Sequence, residues 1–227
     1  MAPLHLVIDV ISDTICPWCY LGKRRMETAV RTVEAKVPEV TFELRWRPYF
    51  LNRRLPVAGM EKRESYRKKL GSLEAVERME VGMKVLGQAE KPPIPFCFDG
   101  KIANTEHSHR MLEWVLERHG TSVQQQVVEV LGRRYFTEAQ NIGDLAVLVE
   151  AAAECCDATG LLEFLEDGLS CRNLPEVALK LVEEHTVMGV PHFVIAGKYH
   201  VPGAQDVDVC VRLLLRAVER EQAQAKL

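Results

Sequence analysis

Strand signals stand only at the two ends of this chain of 227 residues, and from Glu61 to His185 the pattern is helical almost throughout. Near the amino end, Leu4-His5-Leu6-Val7-Ile8-Asp9-Val10-Ile11 is a nearly continuous apolar run, the pattern of a strand buried on both faces. A polar turn, Ser12-Asp13-Thr14, follows it. Cys16-Pro17-Trp18-Cys19 then leads into a segment reaching Val37, with Leu21, Met26, Val30 and Val33 at helical spacing, and Pro17 suits a first helical turn. Beyond Pro38, Val40, Phe42, Leu44 and Trp46 alternate with polar residues, which predicts a half-buried strand. At the far end, Pro191 to Ile195 and Tyr199 to Val201 flank the turn Ala196-Gly197-Lys198, the signature of a hairpin. Asp206 opens a last amphipathic helix through Val209, Leu213, Leu214 and Val218.

Between these ends, Tyr66, Leu70, Leu73, Val76, Met79, Met83 and Leu86 form one apolar stripe. A loop rich in proline, Lys91 to Pro95, interrupts the pattern, and further helices start near Asn104-Thr105, Ser122, Asp144 and Pro175. The expectation is an α/β fold with a helical subdomain inserted between βαβ and ββα halves. Residues 1–60 and 187–227 would form one discontinuous domain and 61–186 the insertion. A chain of this length buries about 70% of its surface on folding, so it needs no staples.

Twenty-nine basic residues against 32 acidic ones give no net pull toward nucleic acid or an anionic membrane, so neither is expected as a partner. The local basic excess, Arg45, Arg47, Arg53, Arg54, Lys62, Arg63, Arg67, Lys68 and Lys69, reads as a solvated face. No apolar run approaches about 18 residues, and the amino terminus lacks the features of a signal or transit peptide. The expected compartment is the cytoplasm. Seven cysteines make an odd number, unlike a disulfide framework, and the cytosol keeps thiols reduced.

One cysteine pair stands where chemistry is favoured. A thiolate at a helix start is stabilised by unpaired N–H groups and the positive end of the dipole, so Cys16 is expected to attack. Cys19, one turn further on the same side, is expected to resolve a mixed disulfide. A closed zinc site needs four ligands and no second C-x-x-C exists, so no metal is expected. Trp18, between the cysteines, is a candidate docking surface, and Asp13 either tunes Cys16 or is an ordinary turn aspartate. Cys155-Cys156 reads as packing within an alanine-rich helix, with a redox role beside Cys171 as the alternative. Cys97 and Cys210 read as packing or surface positions. Asn104 reads as a helix cap, Thr105 as first-turn support, and His107 and His109 as a polar cluster beside them.

The dithiol on this skeleton resembles the thioredoxin superfamily, and the central helical insertion is similar to that of the DsbA-type branch. Asp13 to Lys23 resembles the FrnE-like oxidoreductases, relatives of 2-hydroxychromene-2-carboxylate isomerase. So do Trp46 to Asn52, Tyr135 to Glu138 with Asn141 to Asp144, and Gly189 to Val194 with Gly203 to Gln205. The resemblance implies a cis Pro191 beside the dithiol, with Val190 pairing by backbone with substrate. It also implies that the helix carrying Asn104 and His107 lies near a substrate groove. The implied activity is thiol–disulfide exchange on a disulfide- or thiol-containing protein or small molecule, through a redox partner the sequence does not name. No metal or organic cofactor is implied, with glutathione as an alternative co-substrate. Kappa-class glutathione transferases and the isomerases usually carry serine at the position of Cys16, so both sulfurs here favour exchange. A glutathione-dependent isomerase or transferase is the alternative enzyme. A non-catalytic peptide-binding or chaperone module around Trp18 and Pro191 is the alternative outside catalysis.

Overall fold

The two strand-bearing ends of the chain meet in one sheet. The computed structural model describes residues 3–167 and 173–224. In chain order the elements are β1 (Leu4–Ser12), α1 (Pro17–Lys36), β2 (Val40–Pro48), β3 (Met60–Glu61), α2 (Lys62–Leu70), α3 (Leu73–Ala89) and β4 (Lys101–Ile102). They continue with α4 (Glu106–Phe136), α5 (Leu145–Ala153), α6 (Leu161–Glu166), α7 (Leu174–Glu184), β5 (His192–Ile195), β6 (Tyr199–Pro202) and α8 (Val207–Gln224). The main sheet has the order β2-β1-β5-β6. β1 and β2 run parallel, from Leu4 opposite Val40 to Ser12 opposite Pro48, as a helical crossover requires. β5 is antiparallel to β1 and to β6. The hairpin closes where Ala196 and Gly197 both take positive φ, 51° and 69°, the primed turn that suits strand twist. This is the expected thioredoxin-like α/β fold.

Alternation along the strands assigns the faces. Leu6 packs with Val40 and with Val218 of α8, which lies beside α1. On the other face Ile11 and Val194 pack with Val187, Leu181 and Val182, the last two from α7. β1 is not buried on both faces along its whole length as its composition suggested. His5 is exposed and Asp9 is half-buried because it accepts from Arg47 at 2.7 Å, and only Val10 to Ser12 are buried in succession.

The chain forms two compact units, Met1–Tyr49 with Glu176–Leu227, and Phe50–Pro175. These divisions fall before the expected boundaries near 60 and 187, the second because α7 packs its apolar face on the sheet of the first unit. In the second unit β3 and β4 form a short antiparallel ribbon. The stripe expected from Tyr66 to Leu86 is broken: Gly71, at φ 90°, ends α2, and Ser72 caps α3 by accepting from the Ala75 N–H. Leu70 and Leu73 are exposed there, whereas Val76 and Met83 are buried. Gly120 interrupts α4 just before the start expected at Ser122. Asp144 caps α5 through the Ala146 N–H. Around them Trp114, Val127, Leu131, Tyr135, Phe136 and Leu148 form a buried core.

The basic run is not one solvated face. Arg45 pairs with Glu43, Arg63 forks onto Glu80, and Arg67 onto Glu64. Lys62 is only 1% exposed, its Nζ donating to the Tyr135 carbonyl at 3.1 Å and standing 3.9 Å from that ring's centre. Burial lowers its pKa from 10.5 to about 8. Among the described residues no helix is long and apolar enough to cross a membrane.

Candidate functional site

The turn after β1 sets the cysteines. The Ser12 carbonyl accepts from the Tyr49 N–H, and the Asp13 carbonyl accepts from the Cys16 N–H at 3.0 Å. Asp13 Oδ1 takes the Ile15 N–H at 3.4 Å, the side-chain-to-backbone turn typical of aspartate, and Asp13 is 1% exposed. Cys16 then occupies the cap position of α1 in extended conformation, φ −87° and ψ 114°, with Pro17 behind it in the first turn. Its side chain makes no cap hydrogen bond and the first turn holds no acidic residue, so the positive end of the dipole is left for the sulfur. The Cys16 carbonyl accepts from the N–H groups of Cys19 and Tyr20, which starts the helix and fixes both thiols on it.

Both cysteines are buried, and the two thiols stand close enough to influence each other's titration. Burial pushes the Cys19 thiol well up, and the Cys16 sulfur raises it further. The Ser12 hydroxyl and the Asp13 backbone oppose this by hydrogen bonding. Cys19 therefore rests as a neutral thiol. Trp18, between the two, is 45% exposed and offers the rim of the site an aromatic surface.

Across the sheet, the Val190 carbonyl lies 3.9 Å from Cys16 Sγ, and the Val190–Pro191 bond is cis. Pro191 is buried, and its carbonyl accepts from the Gly203 N–H at 2.8 Å. The next residue, His192, places Nε2 2.9 Å from Nδ1 of His200, whose ring stands 5.7 Å from that of His185. Burial, then the neighbouring His200 and His185, lowers the His192 pKa. The first unit thus gathers Asp13, Cys16, Pro17, Trp18, Cys19, Val190 and Pro191. Ser12 was not anticipated from sequence, although its place as the last residue of β1 points it to the helix start. The histidine pair escaped too, being legible only from the hairpin register, which sets Val194 opposite His200 and leaves His192 on the same face.

Asn104 and His107 belong to the second unit. α4 starts one residue later than expected, with Thr105 at the cap making no side-chain bond. Asn104 Oδ1 accepts from the Glu106 N–H at 2.8 Å while its amide donates to the Arg53 carbonyl at 3.0 Å. His107 is lowered by burial and by Arg110, whose Nη1 stands 3.4 Å from its Nδ1, and His109 packs edge-on to Phe50. Cys155 and Cys156 are not in a helix but follow the end of α5, and Cys171 lies outside the described residues. Cys97 is hydrogen-bonded to Asp99, and burial raises Cys210 to about 11. Among the described residues no group of three or more His, Cys, Asp or Glu could hold a metal ion.

Comparison with known proteins agrees with this fold. A curated Bacillus subtilis (strain 168) protein, YwbO, itself uncharacterized, is 28% identical over 205 residues, spanning 89% of this chain and 92% of its own. The structure is similar to that of a probable DsbA oxidoreductase, SCO1869 of Streptomyces coelicolor, with a TM-score of 0.82 and 25% identity over 95% of this chain and 91% of that one. It also shares its fold with a 2-hydroxychromene-2-carboxylate isomerase, with a TM-score of 0.64 and 16% identity over 97% and 98% of the two chains. Residues 7–214 match the family described as DSBA-like thioredoxin domain, and the chain belongs to that family.

Proposed function

We propose that this chain is a thiol–disulfide oxidoreductase in which Cys16 is the attacking thiol and Cys19 the resolving one. In the reducing direction the Cys16 thiolate attacks one sulfur of a substrate disulfide, forming a mixed disulfide and releasing the other substrate sulfur as a thiolate. Cys19, as it loses its proton, is stabilised by the Ser12 hydroxyl and the Asp13 backbone. It attacks Cys16 Sγ, closes the Cys16–Cys19 disulfide and releases the second substrate thiol, so two electrons pass to the substrate. The oxidised pair runs the same steps backwards. The observation that carries this reading is the Cys16 sulfur at the open start of α1, beside a buried Cys19 thiol and facing the Val190 carbonyl.

The substrate is a disulfide- or thiol-containing protein or small molecule. Trp18, exposed between the two cysteines, supports a polypeptide by offering apolar surface beside the dithiol. The chemistry needs no metal or organic cofactor. A cytosolic setting is part of the proposal, supported by Cys97, Cys155, Cys156 and Cys210 standing as free thiols.

Turnover of insulin disulfides with glutathione as reductant tests it. Wild type is expected to turn over, and Cys19→Ser to accumulate a mixed disulfide on Cys16 visible by mass spectrometry. Cys16→Ser retaining full activity overturns the assignment and favours a glutathione-dependent isomerase or transferase, whose chemistry runs on the sulfur of glutathione.

A further inference from the structure

Gly22 lies inside α1, three residues beyond Cys19, where glycine costs about 1 kcal/mol relative to alanine. Its backbone is helical, so conformation does not call for glycine there. Space does. A Cβ at this position would stand 2.8 Å from Cγ of Pro191 and 3.3 Å from Cβ of Ala204. Neither neighbour is the end of a flexible side chain. The Pro191 carbonyl is held by the Gly203 N–H at 2.8 Å. Arg25, one turn along α1 and nearly buried, donates from Nη1 to the Ala204 carbonyl at 3.2 Å and pairs with Asp206 at 2.9 Å. The helix that carries both cysteines therefore touches the Val190–Pro191 turn directly at Gly22 and braces the 203–206 loop behind it through Arg25.

We propose that Gly22 and Arg25 are positioning residues: the bare helix surface at Gly22 sets how close the Val190–Pro191 turn stands to Cys16, and Arg25 fixes the loop that backs it. This rests on the oxidoreductase reading of the site. The Val190 carbonyl is already 3.9 Å from Cys16 Sγ, the outer limit of a sulfur hydrogen bond. To bring the 2.8 Å contact to an ordinary one, Pro191 must retreat by at least about 0.6 Å, which breaks that approach. A substrate sulfur held between Cys16 and this turn is misplaced by the same amount, and an error of 1 Å can cost up to about a hundred-fold in rate.

The test uses the full chain with Gly22→Ala, Arg25→Gln and Arg25→Lys. Three readouts are needed: kcat/KM for insulin-disulfide reduction, the rate of Cys16 alkylation by iodoacetamide, and the melting temperature. Alkylation needs the thiolate but no docked substrate, so it separates positioning from damage to the dithiol. Gly22→Ala is expected to lower kcat/KM by about ten-fold, with alkylation changed by less than about two-fold. Its melting temperature is expected to hold, because the helix propensity of alanine offsets the crowding. Arg25→Gln is expected to lose about three-fold in the same selective way, and Arg25→Lys, which keeps the charge facing Asp206, less than that. Exchange within about two-fold of wild type in Gly22→Ala overturns the proposal. Equal losses of exchange and alkylation overturn it too. If Gly22→Ala does not fold, the two Arg25 variants carry the same comparison. If wild type shows no disulfide exchange, the oxidoreductase reading fails by itself. The crystal structure of Gly22→Ala then decides the geometry: a Val190 carbonyl moved away from Cys16 supports positioning, and an unmoved one overturns it.

Discussion

Two cysteine pairs stand at opposite kinds of helix end in this molecule. Cys16 and Cys19 begin α1, where N–H groups point outward and no acidic side chain enters the first turn. Cys155 and Cys156 follow the end of α5, where carbonyls point outward: both of their N–H groups, and the Cys156 thiol, bond to the Ala152 carbonyl. Burial raises both of these thiols, with Cys156 and Glu154 adding to the effect on Cys155 and Asp157 to that on Cys156. Spacing differs as well. Two residues between Cys16 and Cys19 set them side by side along one helical turn, whereas Cys155 and Cys156 are adjacent and lie beyond their helix. Helix polarity and spacing, rather than the number of thiols, separate the pair proposed to react from the pair at Cys155 and Cys156.

Each unit also holds a buried basic side chain whose pKa is lowered. His192 follows Pro191 in the first, and Lys62 lies under Tyr135 in the second. Both are lowered chiefly by burial. A base lowered in the folded state binds its proton better when unfolded, so each makes stability rise with pH, in different windows.

The largest contrast is expected from replacing each cysteine pair. Cys16→Ser/Cys19→Ser should lose insulin-disulfide turnover by at least about a thousand-fold, while Cys155→Ser/Cys156→Ser stays within about two-fold. A large loss in the second variant would erase the distinction between the two helix ends. Next comes Lys62→Met, which removes a buried charge and keeps an apolar stem. It is expected to raise urea-unfolding stability at pH 7 by about 2 kcal/mol, the lost Tyr135 carbonyl bond offsetting part of the desolvation relief. In wild type the cost is fully present below pH 8 and fades as the pH climbs from about 8 toward 10.5, so the advantage of the variant should shrink by pH 10. A constant advantage across that range would mean that Lys62 is not titrating. The smallest effect concerns His192. Wild-type stability is expected to fall as pH drops below 6.5 and to level off below the lowered folded value. His192→Gln should flatten that slope in thermal melts, and an unchanged slope would place the acid sensitivity elsewhere.

Much of the first unit was legible from sequence because its strands are short and patterned. The alternation of Val40, Phe42, Leu44 and Trp46, and the turn at Ala196-Gly197, gave the strands, and Pro17 gave the start of α1. The second unit was harder to read. Gly71 divided a stripe that a periodicity of three to four residues had carried through it, and Lys62 was read with its charged neighbours although its side chain is buried. Local charge density says nothing of which member of a run lies over a core aromatic. α7 was assigned to the insertion because its sequence is helical, and only its packing on Ile11 and Val194 places it with the sheet.

The cysteine pair, its place after a strand and at a helix start, and the strand–helix order around it were determined by the sequence alone, because periodicity and capping are local properties. The approach of Val190 to Cys16, the Ser12 contact with Cys19, the pairing of His192 with His200, and the reason for a glycine at position 22 were decided only by the tertiary structure. Each of these joins residues from different elements, and no local pattern encodes how closely two elements pack.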